Sequence, residues 1–262
     1  MKLSISNIGW AKELDSAVYE LMQSLSFEGL EIAPTRIFPE APYEKCNEAK
    51  EWAGKLRADY GFTVSSAQSI WYGRQENMFG PEEDRKALVD YTKKAVDFAE
   101  AINCPNLVFG CPRNRHMPEG ADESISIAFF REIGDYAAEH GAAIALEAVP
   151  AIYNTNYIND TLIAFDMIEK VDSKGFLLNL DVGSLLENNE DASILQGKMH
   201  LVNHVHISEP GLKAIEKRQI HQDLAKVLRD SNYDKFVSIE VGRQDDLAAI
   251  EGMLQYVKSI FG

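Results

Sequence analysis

Two hydrophobic periods alternate along this chain from end to end, and no other feature limits its fold as strongly. Short β-like runs fall at LSISNI (3–8), GLEIAP (29–34), FTVSSAQ (62–68), NLVFG (106–110), AAIALEA (142–148), FLLNLDV (176–182), NHVHIS (203–208) and FVSIEV (236–241). After each comes a stretch of helical period, near 12–25, 47–60, 81–102, 123–140, 160–170, 191–200, 217–230 and 245–260. Pro81-Glu-Glu-Asp supplies the acidic first turn expected where a helix starts. Strict alternation of this kind implies parallel strands joined by helical crossovers. The expectation is therefore α/β: a single-domain (β/α)8 TIM barrel spanning 1–262, close to the roughly 250 residues typical of that fold. A doubly wound open sheet is the competing arrangement. The first strand–helix junction, NIGWAKEL, lacks a GxGxxG phosphate loop, and GxxxxGK[ST] occurs nowhere.

Charge narrows the partners. A formal net charge of −15 repels phosphodiester backbones and anionic membranes alike, so neither a nucleic acid nor a membrane is expected as a partner. Cys46, Cys104 and Cys111 are too few and too dispersed for a disulfide framework. The opening MKLSISNIGWAKELD has no unbroken apolar run of the kind a secretory signal needs, and the expected compartment is the cytoplasm. Self-association as a homo-oligomer is left open.

Side-chain parity in the last four strands separates two faces. Ile144, Leu146, Leu178, Leu180, Val205, Ile207, Val237 and Ile239 share one parity, suited to packing against helices. The opposite parity carries Glu147, Asn179, Asp181, His204, His206, Ser238 and Glu240, and would turn them inside the barrel. Glu147, Asp181, His206 and Glu240 stand one to a strand near the C-terminal ends, where barrel enzymes place their active sites. Three carboxylates brought together repel one another unless a cation lies between them. Oxygen donors with one imidazole suit a divalent ion, Mn2+, Zn2+, Mg2+ or Co2+, with five or six ligands, better than a closed structural zinc. The alternative is that each polar side chain merely caps a strand or satisfies a loop.

The segments LEA around Glu147, NLDVG around Asp181, HVHISE around His206 and SIEV around Glu240 resemble the xylose isomerase-like TIM barrel superfamily, also called AP endonuclease family 2, of sugar isomerases and epimerases. The resemblance covers essentially the whole chain. It implies that these four residues bind one metal ion, and that Glu147 and Glu240 flank the substrate carbon and move its proton. The implied activity is a metal-dependent isomerase or epimerase of a sugar or sugar phosphate, acting through an enediolate in carbohydrate metabolism. A keto-polyol dehydratase or lyase needs the same first half-reaction, and a non-catalytic carbohydrate-binding barrel is the third reading. One departure stands out: many members carry a histidine three residues after the strand-6 aspartate, where this chain has Ser184. That argues against a three-zinc endonuclease site.

Further candidates sit at the other strand ends: Asn7, Trp10, Glu31, Arg36, Gln68 and Trp71 as substrate-binding residues, the two tryptophans being also natural packing residues. Cys111 reads as a small wall residue. His204, on the same parity as His206, would lie one layer deeper, orienting a ligand or filling the core. His221, after strand 7, could reach over the substrate from a mobile segment. Arg36, Arg74, Arg113, Arg115 with His116, and Arg243 all follow strand ends, a cationic concentration that predicts a small carbohydrate carrying a phosphate or carboxylate. The alternative for each is an ion pair with a neighbouring acid.

Overall fold

The computed structural model describes all 262 residues. Its strands are β1 Lys2–Ser6, β2 Gly29–Ile32, β3 Thr63–Ala67, β4 Asn106–Phe109, β5 Ala143–Glu147, β6 Phe176–Asp181, β7 Val202–Ile207 and β8 Phe236–Ile239. They close in sequence order, every neighbouring pair parallel, with β8 returning to β1 through Lys2↔Phe236 to Ile5↔Ile239. The helices are α1 Asp15–Ser24, the single turn α2 Pro34–Ile37, α3 Cys46–Tyr60, α4 Glu82–Ala101, α5 Ser124–Glu139, α6 Thr161–Val171, α7 Val182–Glu187, α8 Gln219–Asp230 and α9 Leu247–Phe261. The expected (β/α)8 barrel is the observed architecture. No helix is long and apolar enough to cross a membrane, and the three cysteines are free thiols.

Strand parity works as read. The outward set from Ile144 to Ile239 is buried under the helices, where apolar area removed from water holds the two layers together. The inward face is largely polar, so its cost depends on internal pairing. Ser4 Oγ meets Ser65 Oγ at 2.5 Å, Ser238 Oγ meets Ser4 Oγ at 3.4 Å, and Asn106 Nδ2 donates to Ser66 Oγ at 2.9 Å. The bottom of the barrel is tight. A Cβ on Gly29 would lie 2.5 Å from Phe236 Cε1 and 2.8 Å from Ser65 Cβ, so only glycine fits there.

A register shift between Leu178 and Asn179 sets the face that β7 presents. Leu178 pairs with Val202 but Asn179 with His204, leaving Asn203 as the extra residue of a bulge. The shift leaves His204 and His206 opposite Asn179 and Asp181.

Three local expectations are corrected. Instead of one helix over 191–200, α7 begins directly after β6, and 191–200 breaks into the 3-10 turns Ala192–Leu195 and Met199–Leu201. Asp181 starts α7 by accepting from Ser184 N at 2.7 Å, an N-cap that strand periodicity does not reveal. The second strand stops at Ile32, because Pro34 opens α2 at a position where a missing N–H costs nothing. The last strand ends at Ile239, so Glu240 lies one residue beyond it.

Candidate metal and sugar site

Four donors converge above the barrel. Glu147 ends β5, Asp181 ends β6, His206 is the penultimate residue of β7 and Glu240 follows β8; one donor atom from each lies within 4.8 Å of all the others. His206 Nδ1 faces Glu240 Oε2 at 3.3 Å and Glu147 Oε2 at 3.4 Å. Its other nitrogen is held from beneath, Nε2 lying 2.9 Å from Glu31 Oε1. A carboxylate on Nε2 keeps a proton there and turns Nδ1 toward the other carboxylates, so that Nδ1 is the nitrogen that could bind an ion once its own proton is displaced. Glu31 Oε2 is 3.4 Å from His204 Nε2, and the two imidazoles stand edge to face with centroids 5.2 Å apart.

Each carboxylate is fixed by further bonds. Asn179, paired with Glu147 in register, donates from Nδ2 to Glu147 Oε2 at 2.6 Å. Asp181 accepts at Oδ2 from Ser184 N and Ser184 Oγ, and at Oδ1 from Ser208 Oγ. With its amide nitrogen turned to the acceptors around it, Gln68 donates to Glu240 Oε1 at 3.0 Å and Glu31 Oε1 at 3.2 Å. Arg115, fully buried, donates to the carbonyl oxygens of Glu147 at 2.8 Å and Ile158 at 3.2 Å, tying the end of β5 to the loop that follows.

Burial and mutual repulsion show in the titration of this group. Burial, then the Glu147 charge, push the Asp181 carboxyl up from 3.8 to about 6. Glu147 is raised by burial and by Glu240, and Glu240 chiefly by burial. Burial opposes charge on His206, but Glu31 and Glu240 outweigh it and hold the imidazole well above its ordinary range. For Glu31, burial is likewise outweighed, by His206 and His204, and the carboxyl lies well below the usual range. Three hard oxygen donors and an imidazole lone pair, with positive charge favoured at their centre, fit a divalent cation.

The chain matches the xylose isomerase-like TIM barrel family over residues 19–260. It belongs to that family. No curated protein matches it in sequence. Among solved structures it is similar to D-psicose 3-epimerase from Clostridium cellulolyticum H10, crystallised with D-tagatose, at 17% identity and a TM-score of 0.79 over 100% of this chain and 99% of that one. It is also similar to 3-keto-D-glucoside 4-epimerase from E. coli, at 18% identity and a TM-score of 0.77 over 99% of both chains. An AP endonuclease family 2 structure from Brucella melitensis matches at 19% identity with a TM-score of 0.74 over 98% of both.

In this xylose isomerase-like barrel, Glu147, Asp181 and Glu240 line a cleft of about 200 Å³ at the mouth, together with Gln68, Ser184 and an apolar wall that includes Val108, Val149 and Leu212. Gly110 leaves room beside Glu147, since a Cβ there would sit 3.1 Å from Oε1. Cys111 lines the cleft as a wall residue, its thiol pushed up to about 12 by burial and so held protonated.

Of the other residues expected around a substrate, Gln68 alone lines this cleft. Glu31 and His204 lie beneath it, on His206. Asn7 is buried and accepts from Ala33 N at 2.9 Å, fixing the start of α2. Trp10 is buried, with Nε1 donating to Asp15 at 2.7 Å, and Trp71 packs on Phe109 and Phe129 with Nε1 on Thr92 Oγ1 at 2.8 Å. Both rings pack where the alternative reading put them. His221 is set within α8, buried, with Nδ1 3.0 Å from Tyr256 Oη, and burial pushes its pKa down to about 4. The arginines are engaged elsewhere: Arg36 with Asp15 at 2.6 Å and over the Trp10 ring, Arg74 with Glu76, Arg113 with Gln75, and exposed Arg243 with Asp245 at 2.9 Å. No lysine or arginine lines the cleft. Sequence reasoning missed Tyr153, which does line it; its place in VPAIY, six residues after Glu147, was the available signal.

Proposed function

We propose that this chain is a divalent-metal-dependent isomerase or epimerase of a small neutral sugar, working by proton transfer at a carbon beside a carbonyl. One observation carries the reading: Glu147 and Glu240, from β5 and β8, line a single cleft and point their Oε2 atoms at the same imidazole nitrogen. A cation held by Glu147, Asp181, His206 Nδ1 and Glu240 would supply Lewis-acid polarisation of the substrate carbonyl and the adjacent hydroxyl. One glutamate then takes the proton from the intervening carbon. For epimerisation the other, in its neutral form, returns a proton to the opposite face of the planar enediolate; for isomerisation the first carries its proton to the neighbouring carbon on the same face. Gln68 and Asn179 hold the two acting carboxylates by hydrogen bonds.

Neutrality of the substrate follows from the lining. An anionic group would find three acids and no lysine or arginine among the side chains that line the cleft, so a neutral sugar is favoured over the phosphate or carboxylate that the arginines suggested. The names of two structural neighbours, a psicose 3-epimerase and a 3-ketoglucoside 4-epimerase, both describe inversion beside a ketone. The decisive experiment incubates Mn2+-loaded protein in deuterated water with D-psicose, D-tagatose, D-fructose, L-ribulose and a 3-keto-D-glucoside. Deuterium should appear by NMR at a carbon next to the carbonyl of at least one sugar. No exchange across that panel sinks the proposal, and loss of water detected by mass spectrometry would transfer it to a dehydratase.

A further inference from the structure

Tyr153 stands where the cleft opens. It ends the 3-10 turn Ala151–Tyr153 that follows β5, and lines the same cleft as the three carboxylates. Its hydroxyl oxygen accepts from Gly211 N at 2.8 Å, across the mouth on the loop after β7. That opposing loop is itself fixed: Gly242 N donates to Leu212 O at 2.8 Å, and Arg218 anchors the loop's far end on buried Glu209, with Nε to Oε1 at 2.7 Å. Gly211 N occupies one lone pair of that oxygen, and the hydroxyl proton has no protein acceptor. The ring is partly exposed at 37%, an aromatic face bordering an otherwise apolar wall.

We propose that Tyr153 is a specificity-determining residue that donates its hydroxyl proton to a substrate hydroxyl remote from the metal-held oxygens, while its ring lies against the sugar's C–H face. The inference rests on the sugar isomerase or epimerase reading. Its chemistry is that of the site: a phenol adds a donor without adding charge, in a cleft whose other charged groups can only accept from a sugar once ionised. Burial, together with the charges of Asp181, Glu240 and Glu147, keeps the phenol protonated and thus a donor. A ring and a hydroxyl on one side chain match an amphipathic ligand, apolar on its C–H face and polar at its rim.

The experiment is a cycle between side chain and substrate. Mn2+-loaded wild type, Tyr153→Phe and Tyr153→Ala are compared on the panel ketohexose that wild type turns over and on its 4-, 5- and 6-deoxy counterparts. Wild type should disfavour one deoxy sugar by about 3- to 10-fold in kcat/KM, the size of one neutral hydrogen bond. Tyr153→Phe should lose that discrimination while treating the remaining sugars alike, and Tyr153→Ala should weaken all of them further. Manganese content of Tyr153→Phe should equal wild type and its melting temperature should fall only by the few degrees that the lost bond from Gly211 N accounts for, since the residue holds neither the ion nor the core. Equal discrimination in wild type and Tyr153→Phe overturns the assignment while leaving the proposed function standing. Absence of turnover by wild type on every panel sugar overturns both.

Discussion

Replacing Asp181 by asparagine should stabilise the metal-free protein and destabilise the metal-loaded one. The metal-free side follows from the carboxyl being raised from 3.8 to about 6 by burial and by Glu147. Between those values the native state holds a proton that the unfolded chain has released, so stability falls as pH rises through the window. Above about pH 6 the full penalty applies, and at roughly 1.4 kcal/mol per pK unit it amounts to about 3 kcal/mol. Asparagine carries no such charge. It is as good an N-cap as aspartate, so the start of α7 keeps its bond from Ser184 N. One hydroxyl must turn away from the new amide, and Ser184 Oγ already has a second acceptor in Ala148 O at 2.8 Å; the cost is about 1 kcal/mol. A net gain of about 2 kcal/mol at pH 8 corresponds to a melting point higher by roughly 4–8 °C in a chain of this size.

The assay is thermal melting with chelator or with Mn2+, at pH 8 and pH 4. With chelator at pH 8 the variant melts above wild type, and at pH 4, where the native carboxyl is already neutral, the gain is gone and the variant melts level with wild type or below it by the roughly 1 kcal/mol of the turned hydroxyl. With Mn2+ the order reverses, because wild type gains about 2.7 kcal/mol at a hundred times Kd while the variant has lost a ligand. A metal-free variant that melts below wild type at pH 8, or a difference that ignores pH, refutes the claim that these acids are assembled against their own repulsion.

Three further outcomes follow from the same geometry. Affinity for Mn2+, measured by calorimetry, should fall about tenfold or more per pH unit below pH 6, because the ion must displace protons from Asp181 and from His206, raised by its acidic neighbours. Glu31→Gln should weaken Mn2+ binding by about 10- to 100-fold by releasing the Nε2 proton that fixes His206, and 15N chemical shifts of the imidazole should report a mixed tautomer; unchanged shifts and affinity would contradict the role given to Glu31. Gly29→Ala should cost about 1–3 kcal/mol in denaturant unfolding through its collision with Phe236 and Ser65, and leave metal affinity per folded molecule intact.

How far the sequence could be read depended on whether a residue's surroundings are local or assembled. Glu147, Asp181, His206 and Glu240 were legible because strand parity and the C-terminal end of a strand are both counted along the chain, and closure of the barrel does the rest. Trp71 was not, because its partner Thr92 lies 21 residues away on α4 and draws the ring into the helix layer. Arg36 follows the same logic, drawn to Asp15 at the start of α1. A strand-end position says that a side chain is near the mouth, but which way it turns is decided by ion pairs and packing between loops. Tyr153 is the converse case, a loop residue brought into the cleft by a bond to Gly211, 58 residues further on.

Asp181 shows why the acid-rich site and the loop above it have to be considered together. The same side chain caps α7, receives Ser184 and Ser208, and offers an oxygen to the cluster. Ser184 stands where the family resemblance would place a histidine, and its Oγ lies within hydrogen-bonding distance of Asp181 Oδ2 and Ala148 O, its one proton shared between the ends of β6 and β5. An imidazole there would be a further metal ligand; a hydroxyl makes a crossbrace instead. Exchanging a donor of lone pairs for a donor of hydrogen bonds removes one potential site for a second ion and stiffens the first. The consequence is a mouth with a single focus of negative charge, to which Glu147 and Glu240 both have access and whose carboxylates accept hydrogen bonds from Asn179, Gln68, Ser184 and Ser208. Such an arrangement is unfavourable without a counter-charge and rigid before one arrives, which is the condition for binding a cation with little reorganisation.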